Sequence, residues 1–106
     1  MPPIKISFRS TYHESLESVM KYSAHTFGKR VTNKFYSEIQ QKVRLLFTMP
    51  NMYAKCRFID STDSITFRNI TVRSYLIIYS VTAHQVTVID IIHSSINPEN
   101  MKNRVE

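Results

Sequence analysis

A chain of 106 residues, 42% hydrophobic and 21% charged, can pack one core and carries too little charge for a disordered chain, which excludes a second large domain. Its one glycine excludes Walker A and dinucleotide loops, which need several closely spaced glycines, and its one cysteine excludes an intrachain disulfide or a zinc-binding cysteine pair. Fourteen Lys and Arg against eight Asp and Glu leave +6, so the expected partner is anionic, either nucleic acid or an acidic protein.

Met1-Pro2-Pro3-Ile4-Lys5 lacks the apolar core of a signal peptide, and no apolar run reaches the roughly 18 residues of a membrane span. The expectation is a cytoplasmic protein with no membrane partner. Ile4 to Phe8 alternates apolar and polar residues, the period of a half-buried strand. Thr11 and Glu14 have the spacing of a capping box, so a helix should start there. Tyr12, Leu16, Val19, Met20, Ser23 and Phe27 then form one helical stripe, and Gly28 stands where a helix end favours a left-handed cap.

A second stripe runs through Val31, Phe35, Ile39, Val43, Leu46 and Phe47 and stops at Pro50. Glu38 and Lys42 have the order of a favourable i,i+4 pair. Two amphipathic helices joined by about two residues should fold back as an antiparallel hairpin. Beyond Pro50, β-branched and aromatic residues predict strands over 55–59, 64–72, 75–81 and 85–93, with turns at 60–63 and 82–84. Tyr75-Leu76-Ile77-Ile78-Tyr79 is apolar on both faces, as in a central strand covered on one side by the hairpin. Residues 99–106 read as a short helix or a tail. The expected fold is α+β: an N-terminal strand and an antiparallel helix hairpin packed on a mainly antiparallel, four- to five-stranded twisted sheet, forming one domain over 1–106.

The charge is localised. Residues 29–57 hold Lys29, Arg30, Lys34, Lys42, Arg44, Lys55 and Arg57 against Glu38 alone, which equals the whole excess. His93, at the end of the last predicted strand, offers a proton donor or acceptor near neutral pH, or else a local hydrogen bond at the strand end. Arg68 offers a two-pronged contact from the concave face of the sheet to a phosphate or a carboxylate, or else a surface pair with Asp60 or Asp63. Lys55 and Arg57 alternate onto one face and can join it. Tyr75 and Tyr79 read as core with hydroxyls at an edge, and Cys56 as a small buried hydrophobe. His13, His25 and His84 have no metal-ligand spacing, so no metal and no cofactor is expected.

Leu45 to Met52, the spacing of Arg68, Ile70, Val72 and Tyr75, the run Tyr75 to Val81 and the stretch Val88 to Pro98 together resemble the RelE/ParE superfamily of toxins from type II toxin-antitoxin systems. Leu45 to Met52 is similar to that family's passage from the second helix into the sheet. Arg68, Ile70, Val72 and Tyr75 follow its R-x-[LI]-x-V-x-x-Y spacing, Tyr75 to Val81 resembles its central strand, and Val88 to Pro98 its last strand and His-containing turn. The resemblance spans about residues 5–102 and implies a toxin neutralised by a cognate antitoxin with an acidic C-terminal segment, for which Lys29, Arg30, Lys34, Lys42 and Arg44 offer the complementary charge. The ParE branch implies inhibition of DNA gyrase. The RelE branch implies ribosome-dependent cleavage of mRNA, with His93 as the catalytic group and Lys55, Arg57, Arg68 and Arg73 as phosphate contacts. RelE-like nucleases usually carry an Arg directly after the aromatic residue that opens the central strand; here that position is Leu76. The ParE-like branch is therefore the expectation, with mRNA cleavage, or an inactive member that only binds antitoxin, as the alternatives.

Overall fold

The computed structural model describes residues 5–56, 59, 61–62 and 64–95. Its elements are β1 (Lys5–Phe8), α1 (Ser10–Phe27), α2 (Lys29–Arg44), a 3-10 turn (Leu45–Phe47), β2 (Thr66–Val72), β3 (Tyr75–Val81) and β4 (Gln85–His93). They form a four-stranded sheet in the order β1-β4-β3-β2. The β2–β3 and β3–β4 pairs are antiparallel hairpins, whereas β1 runs parallel to β4. A parallel pair requires a long crossover, and the helix hairpin is part of it.

Among the described residues of the predicted strand over 55–59, Lys55 forms an antiparallel bridge with Arg68. Cys56 N–H donates to Phe67 O at 2.8 Å and Asn69 N–H to Ala54 O at 3.1 Å, so this segment still covers the outer edge of β2. Arg57 and Phe58 lie outside the described residues, as does the predicted C-terminal helix or tail over 99–106. The strand predicted from Ser64 begins at Thr66 because Thr62 and Ile65 close a tight turn before it. Thr62 N–H donates to Ile65 O at 2.8 Å and Ile65 N–H to Thr62 Oγ1 at 3.1 Å.

Two cores follow from the alternation of the strands. On the helix side, Tyr12, Leu16, Phe35, Ile39, Val43 and Leu46 meet Ile70, Val72, Ile77, Tyr79, Val86, Val88 and Ile91. On the far side, Cys56, Ile59, Leu76, Ile78, Ile89 and Ile92 form a second cluster. A register shift sets Ile78 opposite Asp90 but Tyr79 opposite Val88. Ile89 is the extra residue of this bulge, so Ile89 and Asp90 both turn to the far side. Asp90 is buried there, its Oδ1 accepting the Ile91 N–H at 2.8 Å.

The helix hairpin departs from expectation at both of its caps. No side chain caps α1. Thr11 instead donates through Oγ1 to Ile89 O at 2.7 Å, so the residue expected to cap the helix ties its first turn to β4. Gly28 alone joins the helices, closing α1 and opening α2. Its φ of 87° is positive, but its ψ of 173° lies outside the left-handed helical region and in one that is essentially glycine-only. The turn is fixed inside by Thr32, whose hydroxyl donates to Gly28 O at 2.8 Å. That donation spends its one proton, so Ser23 Oγ must donate to Thr32 Oγ1, at 2.8 Å. Phe27 and Val31, expected in the buried stripes, are 60% and 38% exposed, and Phe47 is 57% exposed.

Candidate functional site

The charged residues singled out in the sequence separate into two places along the β2–β3 hairpin. At one end stands Arg68, opposite Tyr79. It has the same parity as Ile70 and Val72, which belong to the helix-side core. Arg68, expected on the concave face of the sheet, therefore projects toward the helix side. There Nη1 donates to Tyr53 O at 2.6 Å. Beside it, the Tyr79 hydroxyl donates to Pro50 O at 2.9 Å and the Tyr53 hydroxyl to Lys42 O at 3.4 Å. The two rings meet edge to face at 6.4 Å. Burial pushes the Tyr79 phenol up to about 12. This cluster anchors the 50–53 turn on β3. Among the described residues, Arg68 Nε is a buried side-chain atom without a hydrogen-bond partner. Lys55, its bridge partner, is exposed on the same side of the sheet.

Arg73 lies at the other end of the hairpin, in the turn between β2 and β3, with φ 54°. A non-glycine residue with positive φ is uncommon and needs support from its surroundings. Glu38 and Phe35 supply it. Arg73 Nε and Nη2 donate to the two Glu38 carboxylate oxygens at 3.1 Å each, and the guanidinium lies 5.0 Å over the Phe35 ring. The Arg73 hydrogen bonds hold the Glu38 carboxyl below the usual range, with Lys34 and Lys42 adding to the effect. The expected Glu38–Lys42 pair is absent: Lys42 Nζ donates to Thr71 O at 2.8 Å, because the forked guanidinium reaching from the sheet satisfies both carboxylate oxygens at once.

His93 sits at the same end as Arg73, opposite Tyr75 in register, with the two rings edge to face at 5.3 Å. Ser95 N–H donates to His93 Nδ1 at 3.1 Å, and Ser95 Oγ lies 2.7 Å from the same nitrogen. An amide can only donate, so Nδ1 accepts and the proton of the neutral ring is on Nε2. Tyr75 and Tyr79 are four residues apart on β3, which separates the His93 end from the Arg68–Lys55 end by about 13 Å along the strand. Leu76, where a nuclease of the resembling family carries Arg, is buried in the far-side core. Of the five residues expected to supply a nuclease site, the four described ones fall in two places: Lys55 and Arg68 are neighbours, Arg73 and His93 stand at the opposite end, and Arg57 lies outside the described residues.

Lys29, Arg30, Lys34 and Arg44 are exposed on α2, turned away from its buried Thr32, Phe35, Ile39 and Val43, while Lys42 is half-buried beside β2. A feature absent from the sequence reading lies near them. Tyr22, Phe27, Val31, Phe35, Arg73 and Tyr75 line a cleft of about 220 Å³ at the tip of the helix hairpin, and Tyr22 and Phe27 are each 60% exposed. Its signal was weak: Tyr22 lies just outside the α1 stripe, and Phe27 belongs to it but overhangs the ends of β3 and β4, where no sheet lies beneath. Among the described residues no group of His, Cys, Asp or Glu could hold a metal ion, and no helix is long and apolar enough to cross a membrane.

Residues 6–98 match the family model described as the ParE toxin of type II toxin-antitoxin system, parDE. The chain is similar in structure to one from the chromosomal ParDE toxin-antitoxin system of P. aeruginosa, with a TM-score of 0.67, 13% identity, and coverage of 85% of this chain and 95% of that one. It is also similar to a chain of the archaeal RelE-RelB complex from Pyrococcus horikoshii OT3, with a TM-score of 0.62, 13% identity, and coverage of 90% and 99%. No curated protein matches the sequence. At this identity the two structures establish a shared fold.

Proposed function

Because the chain belongs to the ParE toxin family of type II toxin-antitoxin systems, we propose that it inhibits DNA gyrase and is neutralised by a cognate antitoxin. The observation that carries this reading is the dispersal of the nuclease set. Attack by a ribose 2′-hydroxyl needs a base, an acid and a cation within reach of one phosphate. Here His93 stands about 13 Å along the strand from Arg68 and Lys55, Arg73 is closed on Glu38, and the residue after Tyr75 is the buried Leu76. A protein that binds its target needs no such convergence.

An antitoxin partner is supported by the similar structures, both of them from toxin-antitoxin systems. The exposed cations Lys29, Arg30, Lys34 and Arg44 suit an acidic segment laid along α2. The test is a supercoiling assay with purified protein, with ribosome-programmed mRNA cleavage measured in parallel. Inhibition of supercoiling, relieved by the antitoxin, is expected. Unchanged gyrase activity at high excess of protein would remove the reading, and mRNA cleavage lost in His93→Ala would replace it with the ribonuclease.

A further inference from the structure

The cleft at the hairpin tip adjoins the His93 end of the sheet, and three of its large side chains face solvent: Tyr22 and Phe27 at 60% and Val31 at 38% exposure. Tyr22 and Phe27 come from the last turns of α1 and Val31 from the first turn of α2, so the single-residue turn at Gly28 holds both walls. Phe35 and Tyr75, whose rings lie 5.5 Å apart, complete the lining. Beside the cleft, three cations, Lys34, Lys42 and Arg73, surround the one carboxylate of Glu38. Apolar walls next to a net positive rim form a surface with two requirements: an apolar side chain to fill the recess and carboxylates to meet the rim.

We propose that this cleft receives an acidic, amphipathic segment of the antitoxin, with an apolar side chain seated among Tyr22, Phe27 and Val31 and carboxylates facing the exposed Lys34 on the net positive rim. The proposal rests on the antitoxin reading above and deepens it by naming where the segment docks. Charge selects this occupant over a second copy of the chain, since a symmetric pair would set one positive rim against another. The groove on the other side of the hairpin has Lys21 and Lys29 against Glu17, which pairs with Lys21 at 3.0 Å, a smaller excess than three cations around one carboxylate.

The proposal is tested by titrating the purified toxin with the antitoxin encoded in the adjoining reading frame. Tyr22→Glu and Phe27→Glu should each weaken binding by at least about tenfold, and Phe27→Ala, which adds no charge, by about threefold or more. Phe47→Glu and Met49→Glu, at exposed apolar positions away from the cleft, should change it by less than about twofold. Wild-type affinity should fall as salt rises. Circular dichroism melts verify that the exposed substitutions leave the fold intact. Wild-type affinity in the cleft variants, or loss confined to the Phe47 and Met49 variants, overturns the proposal. An oligouridylate that binds the wild type but not the cleft variants, with antitoxin affinity unchanged, assigns the cleft to RNA and likewise overturns it. If the wild type does not bind the antitoxin at all, the antitoxin reading itself falls.

Discussion

At the Arg68 end of the β2–β3 hairpin, Tyr79 has no exposed surface, its hydroxyl is bonded to Pro50 O, and Arg68 donates through Nη1 to Tyr53 O. At the Arg73 end, four residues away on the same strand, Tyr75 is half-buried and Tyr22, Phe27 and Val31 stand open around it. Both ends combine an arginine with aromatic rings, so composition does not distinguish them. The difference is what lies above: the 50–53 turn folds back over Tyr79, whereas the helix hairpin overhangs the strand ends near Tyr75 without closing on them. The same residue types thus act as an anchor where the chain covers them and offer a surface where it does not.

The comparison is open to a direct attack. Tyr79→Ala should cost about 3–5 kcal/mol, as for other fully buried large aromatic residues, while Phe27→Ala should cost less than about 0.5 kcal/mol, as for an exposed position; denaturant melts measure both. Similar losses at the two sites would erase the distinction. Gly28→Ala should cost about 1–3 kcal/mol, because a Cβ there meets no atom within 4 Å but the backbone keeps φ 87°. A neutral result would mean that the hairpin turn can relax.

Titration sharpens the contrast further. The Tyr79 phenol is raised to about 12 by burial, so its neutral form is favoured in the folded state. Its contribution is complete below the ordinary tyrosine value of about 10 and is lost as pH rises from there through about 12. Tyr79→Phe should flatten that alkaline loss of stability, as read in melts across this range. Glu38 behaves oppositely, since Arg73 lowers its carboxyl. Its contribution is present above the ordinary glutamate value of about 4.3 and is lost as pH falls below it. Glu38→Gln should remove this component of the acid limb with the smallest effect of the set, because both partners are more than a third exposed. An acid limb unchanged in Glu38→Gln would show that Arg73 does not depend on the pair.

Much of the fold was legible because periodicity reports burial. The stripe Phe35, Ile39, Val43 and Leu46 is buried as read, and the strands over 75–81 and 85–93 have their observed bounds. Boundaries failed where a side chain answered to a distant group. Thr11 left its capping role for Ile89 O, and Glu38 left Lys42 for Arg73, 35 residues away. Among the described residues of 55–59, the predicted strand is represented by the Lys55–Arg68 bridge, with hydrogen bonds from Cys56 and to Ala54 along the edge of β2.

The site was less legible than the fold. The sequence alone located the +6 excess, the two helices with glycine between them and the family resemblance, all of which depend on local order and spacing. Which cations share a surface was decided by strand register. Register set Arg68 opposite Tyr79, His93 opposite Tyr75 and Lys55 opposite Arg68, and so placed His93 and Arg68 at opposite ends of the β2–β3 hairpin. Exposure was decided by tertiary packing as well. Phe27 and Phe35 belong to the same kind of stripe, but only Phe35 has a sheet beneath it, and apolar side chains are buried only where another layer is there to cover them.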